Sequence, residues 1–161
     1  MTPSGTAIAR LPSGGLSILR DFRYTIGMTA LSTFTIQTHL PNEWRNITAE
    51  VRKTVADSGV REGICVVFVP HTTAAVTINE NADPDVPRDM LAAMNAISPD
   101  RAEFRHAEGN SAAHMKTSLV GPSVTIIVSA GQPLLGTWQG VWFTEFDGPR
   151  TRTVHVRVLG E

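Results

Sequence analysis

The stretch Gly-Ile-Cys-Val-Val-Phe-Val, residues 63–69, decides the fold class. Its side chains are apolar at both odd and even positions, which is typical of a central strand whose sheet is covered on both faces. Cys65 is the only cysteine, so an intrachain disulfide and a cysteine-based zinc site are excluded. A thiol inside such a run is expected to be buried and inert, and the cysteine usage favours a reducing, cytoplasmic setting.

Elements of both kinds are predicted around this strand. The predicted helices cover residues 47–58, 85–97 and 111–119. The other predicted strands cover residues 29–38, 74–79, 123–129, 137–146 and 152–159. Strands outnumber helices, and the last three strands follow one another without a helix. The sequence therefore predicts a compact α+β domain with mixed or antiparallel sheets and two to three helices packed on them.

Two of the helices have recognisable ends or faces. The first ends at Gly59, which supplies a left-handed stop, and Asn46 or Thr48 is available to cap its start. The second carries a single apolar stripe. That stripe consists of Val86, Met90, Met94 and Ile97.

Length and charge limit the classes of function. The 161 residues fit one domain, and the formal net charge of −1 argues against broad nucleic-acid binding. No apolar run approaches the roughly 20 residues of a membrane span. Residues 1–28 lack the apolar core of a secretory signal. Their arginines leave an organelle transit peptide open, but we interpret 1–28 as a partly flexible N-terminal extension and 29–161 as the domain.

The first polar block, residues 71–89, begins where the predicted central strand ends. His71 is either a catalytic imidazole or a hydrogen-bonded structural one. Thr72 and Thr73 offer hydroxyl groups that suit a phosphate or a turn.

A dense run of side-chain oxygens follows, and such oxygens are the ligands that hard cations prefer. The run comprises Asn79, Glu80, Asn81, Asp83, Asp85 and Asp89. Asp85 and Asp89 lie four residues apart on one helix face and could be directed at one ion. Either Asp83 or Asp85 also suits the N-cap of the second helix, and two solvated carboxylates are the simpler alternative for the pair.

The second polar block is His-Ala-Glu-Gly-Asn-Ser-Ala-Ala-His-Met-Lys, residues 106–116. If Asn110 caps a helix, His114 lies one turn inside it and His106 approaches from the preceding loop. Two imidazoles with a carboxylate suit zinc or manganese, and anchoring of a polar loop is the alternative. Lys116 is either a phosphate partner or a solvated charge.

The third block covers residues 136–152. Trp138, Trp142 and Phe146 share one face of the predicted strand, which we interpret as core. Gln139, Glu145 and Asp147 lie on the other face with Val141 and Phe143, which suggests a pocket or a subunit contact.

Two arginines follow this strand. Arg152 has the inward parity of Val154 and requires a partner, because a buried unpaired charge is costly. That partner is either Glu145 or Asp147, or a phosphate, which the guanidinium of Arg152 or Arg150 fits well.

Four strings together resemble the YjbQ-like family, whose members are described as secondary thiamine-phosphate synthases. They are His-Thr-Thr-Ala-Ala-Val-Thr-Ile-Asn-Glu-Asn (71–81), His-Ala-Glu-Gly-Asn-Ser-Ala-Ala-His (106–114), Gly-Thr-Trp-Gln (136–139) and Glu-Phe-Asp-Gly-Pro-Arg-Thr-Arg (145–152). The resemblance covers residues 29–160. It implies a β-sandwich-like core, a homotrimer, and condensation of hydroxymethylpyrimidine diphosphate with a thiazole phosphate to release pyrophosphate. It also maps the family's histidines onto His71, His106 and His114, and its acids onto Glu80, Asp83 and Asp85.

The combined hypothesis is a metal-dependent enzyme that acts on a small phosphorylated metabolite. The metal is Mg²⁺, Mn²⁺ or Zn²⁺, and its expected ligands are His106, His114, Asp83 and Asp85. The catalytic candidates are His71, Glu80 and Asn110. The substrate-binding candidates are Thr72, Thr73, Lys116, Gln139, Arg150 and Arg152. Two alternatives stay open: a hydrolase of phosphorylated metabolites, and a non-enzymatic trimeric scaffold or ligand-binding protein.

Overall fold

Nine strands and three helices make up the part of the chain that the computed structural model describes, Gly27–Met28 and residues 31–161. The strands are β1 Gly27–Met28, β2 Ser32–Gln37, β3 Glu43–Asn46, β4 Gly63–Phe68, β5 Ala74–Glu80, β6 Ser123–Ser129, β7 Gln132–Pro133, β8 Gln139–Glu145 and β9 Thr151–Gly160. The helices are α1 Thr48–Ser58, α2 Asp85–Ile97 and α3 Ser111–Val120. The predicted α+β class is confirmed.

The predicted N-terminal extension lies almost wholly outside the described residues, and so does the start of the predicted strand 29–38. Of residues 1–28, the structure describes only Gly27–Met28, which form β1 and pair with the last two residues of β9. The predicted flexibility and the transit-peptide alternative concern residues that are not described.

The strands form two sheets, in which all described pairings are antiparallel. In the large sheet the order is β1-β9-β4-β6-β7, and β2 also pairs with β9. In the small sheet the order is β3-β8-β5. The predicted central position of β4 is confirmed, because β6 and β9 flank it.

The core lies between the two sheets and includes one side of α1. The inner residues of β4, Cys65 and Val67, are fully buried in it with Val51 and Val55 of α1. Helix α1 begins where Asn46 Oδ1 accepts a hydrogen bond from the Thr48 backbone N–H at 2.9 Å, and it ends at left-handed Gly59, as predicted. Cys65 is buried, as predicted, and burial raises the pKa of its thiol to about 11, which disfavours the reactive thiolate.

Helices α2 and α3 lie on the other face of the small sheet. Ala113 of α3 packs against Ala75 and Phe146, which point away from the main core. Helix α2 is held differently, since none of its residues is buried. Its apolar stripe therefore has no cover comparable to that of α1 within the described chain, although the predicted bounds of α2 are correct.

Two burial predictions from the sequence are wrong. The outer residues of β4 are not covered by the described chain, and Ile64 and Phe68 are 39% and 41% exposed. Trp138, predicted to be core, is 65% exposed because β8 begins at Gln139 and Trp138 lies in the preceding turn. Gln139 closes that turn by accepting a hydrogen bond from the Gly136 N–H at 2.8 Å.

A buried ion pair joins the two sheets at one end. Arg152 of β9 donates from Nη2 and Nε to the two carboxylate oxygens of Glu145 in β8, at 2.5 and 2.7 Å. Arg152 Nη2 also donates to Thr73 Oγ1 at 2.9 Å, and Thr38 Oγ1 donates to Glu145 at 3.2 Å. The predicted inward Arg152 is thus confirmed, and its partner is the carboxylate of Glu145.

We expect Arg152→Ala to lower the free energy of unfolding by about 3–5 kcal/mol, because it leaves Glu145 buried without its counter-ion. The measurement is urea unfolding followed by circular dichroism. Lys53→Ala, which breaks the exposed Lys53–Asp57 pair, serves as control and should cost less than about 1 kcal/mol. Equal losses in the two variants would contradict the importance of the buried pair.

Candidate functional site

Two imidazoles meet at the outer surface of α3. The rings of His106 and His114 lie edge to face with their centroids 5.1 Å apart. They line an open cavity of about 400 Å³. The other residues that line it are Phe104, Ser111, Met115 and Ser118. The predicted approach of His106 from the preceding loop onto His114 is present in the structure.

The outer surface of α3 follows from helical spacing. Ser111, His114 and Ser118 recur every three to four residues on one face, while Ala113 and Lys116 lie on the buried side. The cavity thus belongs to the solvent-facing side of a helix whose other side is fixed on the small sheet.

A hydrogen-bonded chain leads to the N-terminus of α3. Asn110 Nδ2 donates to Asp147 Oδ2 at 2.9 Å, and Arg150 Nη2 donates to the same oxygen at 2.8 Å. Asn110 occupies the predicted N-cap position, but its side chain makes no capping hydrogen bond, and its amide nitrogen is oriented by Asp147. Its Oδ1 is buried and accepts no hydrogen bond from the described residues. The helix N-terminus beside Ser111 therefore lacks a side-chain cap and is a favourable place for an anion.

The acidic candidates are engaged elsewhere within the chain. Asp83 Oδ1 accepts a hydrogen bond from the Asp85 N–H at 2.9 Å, so Asp83 takes the capping role at the start of α2. Asp85 and Asp89 each pair with the exposed Arg88 between them, at 3.1 and 3.5 Å. Asp85 and Asp89 were predicted to share one metal ion, and the guanidinium of Arg88 pairs with both of them instead.

The predicted four-residue metal set does not form within one chain. In the described part, no three His, Cys, Asp or Glu side chains come together as metal ligands. Asp83 and Asp85 therefore do not join His106 and His114, because both acids are fixed at the N-terminus of α2. What remains of the predicted set is the imidazole pair.

His71 has a structural partner. Its Nε2 accepts a hydrogen bond from the Thr153 backbone N–H at 2.8 Å, which requires the proton of the neutral ring to be on Nδ1. Burial lowers the pKa of His71, and the nearby Arg152 guanidinium lowers it further. A neutral ring that holds β9 corresponds to the structural alternative for this residue.

Several predicted substrate-binding side chains have roles inside the fold. Thr73 accepts a hydrogen bond from Arg152, whose guanidinium also donates twice to the buried Glu145 carboxylate, and Gln139 holds its own turn. Thr72 is exposed beside these groups. These positions therefore do not form a phosphate site with the imidazole pair in one chain.

Lys116 is buried and bridges separate segments. Its Nζ donates to Asn95 Oδ1 of α2 at 2.6 Å and to Asn42 Oδ1 at 3.3 Å. Burial lowers the pKa of the Lys116 ammonium, and Asp100 opposes this shift. Lys116 thus attaches α2 to α3 rather than lying on a solvated helix end. Arg150, with half of its side chain exposed, is the predicted cation that remains accessible near the cavity.

Asp147 is the residue that sequence reasoning did not place in the site. It was predicted to lie on a strand face that suggests a pocket or a subunit contact, or to pair with Arg152, whereas it links Arg150 to Asn110. The lining residues Phe104 and Met115 were missed as well. The helical recurrence of Ser111, His114 and Ser118 was the available signal for the cavity. Glu80, a catalytic candidate, contributes its backbone carbonyl to Trp142 Nε1 at 3.1 Å.

We expect acidification to destabilise the fold through His71. Its folded pKa is lower than its unfolded value of about 6.5, so the unfolded chain binds the proton first. The free energy of unfolding should therefore fall as the pH drops below about 6.5, whereas above it both states are neutral. The measurement is the urea midpoint of unfolding as a function of pH between about 7.5 and 5. In His71→Asn this midpoint should fall less steeply with decreasing pH than in the unmodified protein. The exposed His39→Asn should keep the slope of the unmodified protein, and equal slopes in all three proteins would contradict the role of His71.

The sequence profile described as "UPF0047 protein YjbQ-like" matches residues 32–161. The UPF0047 protein YugU of Bacillus subtilis is 50% identical over 131 residues, which are 81% of this chain and 99% of that protein. A UPF0047 protein of Methanocaldococcus jannaschii is 49% identical over 131 residues, 81% of this chain and 95% of that protein.

Solved structures agree with this assignment. A protein of the YjbQ/UPF0047 family from Clostridium acetobutylicum is 50% identical, with a TM-score of 0.77 over 79% of this chain and 98% of its own. A YbjQ-like protein from Sulfolobus solfataricus is 31% identical, with a TM-score of 0.80 over 84% of this chain and 100% of its own. The resemblance seen in the four sequence strings is confirmed, and the chain belongs to the YjbQ-like UPF0047 family.

Proposed function

We propose that this protein is an enzyme that acts on a small phosphorylated metabolite in the cavity of His106 and His114. The synthase chemistry implied by the family resemblance is the specific form of the proposal. In that reaction the ring nitrogen of a thiazole phosphate forms a bond to the methylene carbon of hydroxymethylpyrimidine diphosphate, and the bond from that carbon to the diphosphate breaks.

The observation that carries the proposal is the imidazole pair in an open cavity. Two rings with centroids 5.1 Å apart on a solvent-facing helix surface contribute nothing to the core. Histidine can exchange protons near neutral pH and can also bind metals, so two of them in a cavity suit a reactive site better than a structural one.

The surroundings of the pair suit an anionic ligand. The uncapped N-terminus of α3 presents backbone N–H groups beside Ser111, where the helix dipole favours negative charge. Two hydrogen bonds connect Arg150 to Asn110, both of them to the carboxylate of Asp147. We assign phosphate binding to this end of the cavity, with the half-exposed Arg150 supplying positive charge while Asp147 orients it.

The donor set fits a divalent metal only in part. His106 and His114 are suitable ligands for zinc or manganese, but catalytic zinc sites use three protein ligands. Any metal on this pair would therefore need further ligands from outside the described chain, and phosphate oxygens of the substrate are the natural ones. The metal would supply charge neutralisation for the departing diphosphate.

The residues of the chain act by binding and orientation in this scheme. We assign the phosphate groups to the helix N-terminus and Arg150, and the departing anion or a transferred proton to the imidazoles. Two further parts of the proposal come from the family resemblance and from cysteine usage: a homotrimer and a cytoplasmic location. No helix in the described chain combines the length and apolar content that crossing a bilayer requires.

We expect the purified protein to form thiamine phosphate from the two substrates. In the double variant His106→Ala/His114→Ala the rate should fall by at least about 100-fold, because both imidazoles of the cavity are removed. Product is measured by chromatography with Mg²⁺, Mn²⁺ or Zn²⁺ present and with heat-killed protein as blank. His39→Ala, an exposed histidine outside the cavity, is the matched control and should keep full activity.

The products distinguish the alternatives. No product above the heat-killed blank would sink the synthase proposal. Release of inorganic phosphate from sugar or nucleotide phosphates, lost in the same double variant, would indicate a hydrolase. Binding without turnover would indicate a ligand-binding module.

Metal binding by the pair can be measured without any activity. We expect the unmodified protein to retain Zn²⁺ or Mn²⁺ after dialysis with pyrophosphate present, and the His106→Ala/His114→Ala variant to lose it. Metal content is read by atomic emission, with His39→Ala again as control. Equal metal content in all three proteins would contradict a metal site at the pair.

A further inference from the structure

We propose that the seam between α2, α3 and the small sheet is a binding site for a halide ion such as chloride. Four side chains define this seam. They are Trp44 of β3, Thr144 of β8, and Lys116 and Thr117 of α3. None of the four lines the cavity of His106 and His114, so the inference goes beyond the proposed function and does not depend on it.

One row of the small sheet forms the floor of the seam. Trp44 pairs across the strands with Thr144, which pairs with Ala75 on its other side. Phe143 is buried in the core between the sheets, so the alternation along β8 directs Thr144 to the opposite face, where the helices lie. Residues paired across strands share a face, and these three therefore form one row beneath the helices.

The two helices meet above this row. Ala113 of α3 packs against Ala75, and Thr117 follows one turn later on the same buried side of the helix. Helix α2 packs against β3, which is the strand of Trp44. Thr144, in the strand between β3 and β5, therefore lies where the cover by α2 adjoins the cover by α3.

Lys116 brings a positive charge into the seam. Its Nζ donates to Asn95 Oδ1 of α2 and to Asn42 Oδ1, two residues before Trp44. Both acceptors are uncharged amides, and Lys116 forms no ion pair with a carboxylate of the described residues. Two of the three ammonium N–H groups are thus used, and a buried charge is left without a counter-ion.

Three further polar groups of the seam lack acceptors or donors. Trp44 Nε1, Thr117 Oγ1 and Thr144 Oγ1 are buried and form no hydrogen bond with the residues that the structure describes. Thr117 is only 7% exposed, and Thr144 is fully buried. A buried polar group without a partner costs free energy, so such groups are normally satisfied by something bound beside them.

The donor set determines the class of ligand. Lys116 and Trp44 can only donate hydrogen bonds, and the hydroxyl groups of both threonines can donate as well. A ligand that fits such a set accepts hydrogen bonds and carries negative charge. Because both threonines are almost completely covered, the ligand must also be small, which favours a single halide ion over a polyatomic anion. Such an ion would neutralise Lys116 at the point where it holds α2.

Chloride-dependent stability tests the site. Chloride is titrated against gluconate, an anion too large for the seam, at constant ionic strength and one protein concentration. The equilibrium constant of unfolding should fall about tenfold when chloride reaches ten times its Kd, because only the folded chain contains the seam. Urea unfolding followed by circular dichroism gives this constant. Equal stability of the unmodified protein in the two salts would overturn the inference.

Thr144→Val removes one unpartnered hydroxyl and nearly keeps the shape of the side chain. In gluconate this variant should be at least as stable as the unmodified protein, since it no longer buries a hydroxyl without a partner. Its stabilisation by chloride should be at least about threefold smaller. Thr35→Val, at an exposed threonine of β2 in the large sheet, is the matched control and should keep the full response. A full chloride response in Thr144→Val would contradict the site.

Two more variants separate the seam from the cavity. Lys116→Met should abolish the chloride response, whereas His106→Ala/His114→Ala should keep it. If the histidine variant loses the response while Thr144→Val keeps it, the ion lies in the cavity and the inference is wrong. Failure of the proposed catalysis would leave every one of these salt responses unchanged, so the two proposals fail separately.

Bromide locates the ion directly. In crystals grown with sodium bromide, anomalous scattering should give a peak beside Lys116 Nζ and Trp44 Nε1 that is absent from Lys116→Met. Bromide peaks confined to other parts of the molecule would overturn the site. Stabilisation by inorganic phosphate but not by chloride would contradict the assignment to a halide.

Discussion

The buried pair of Arg152 and Glu145 is the constraint on which this end of the molecule depends. It joins β9 of the large sheet to β8 of the small sheet. Thr38, next to β2, donates a hydrogen bond to Glu145, and Thr73, next to β5, accepts one from Arg152. Two ionised groups without access to water are tolerated because nearly every polar atom between them has a partner. The core between the sheets is thus apolar in the middle and has this polar cluster of four side chains at one end. We call the cluster the clamp, because it fixes the two sheets relative to each other at that end.

The clamp also determines where the cavity lies. The backbone N–H groups of Phe146 and Asp147 donate to Glu145, so the turn after β8 starts in one defined orientation. That orientation directs Asp147 at both Arg150 and Asn110, and thereby positions the start of α3. The structural ion pair and the start of α3, which borders the cavity, therefore belong to one hydrogen-bonded network. Clamp residues do not line the cavity, so substituting them would change it only by shifting the turn after β8 and the start of α3.

The sequence predicted most elements because their patterns are local, and it failed where a distant contact decides. Residues 63–69 indicated the central strand, but the pattern also predicted a cover over Ile64 and Phe68 that the described chain does not supply. Trp138 has strand parity, but the side chain of Gln139 holds a turn there and shifts the start of β8. Asn110 looked like a cap, and a contact to Asp147, 37 residues away, takes its side chain instead. His106 and His114 could be predicted to meet because they are close in sequence, on a helix and its preceding loop. Asp83 and Asp85 could not be assigned, because a carboxylate at a helix start and a carboxylate that binds an ion look alike in sequence.

Helix α2 has a thermodynamic consequence that follows from the way it is attached. It has no buried residue of its own, its apolar side chains are only partly covered, and Lys116 holds it through Asn95, so its local opening exposes less apolar surface than unfolding of the sheets. Its detachment therefore requires far less free energy than unfolding of the sheets, and its amide hydrogens should exchange through partial opening. An opened α2 would expose Lys116 to water, where its ammonium regains an ordinary proton affinity. Among the described elements, we therefore expect α2 to open independently of the two sheets.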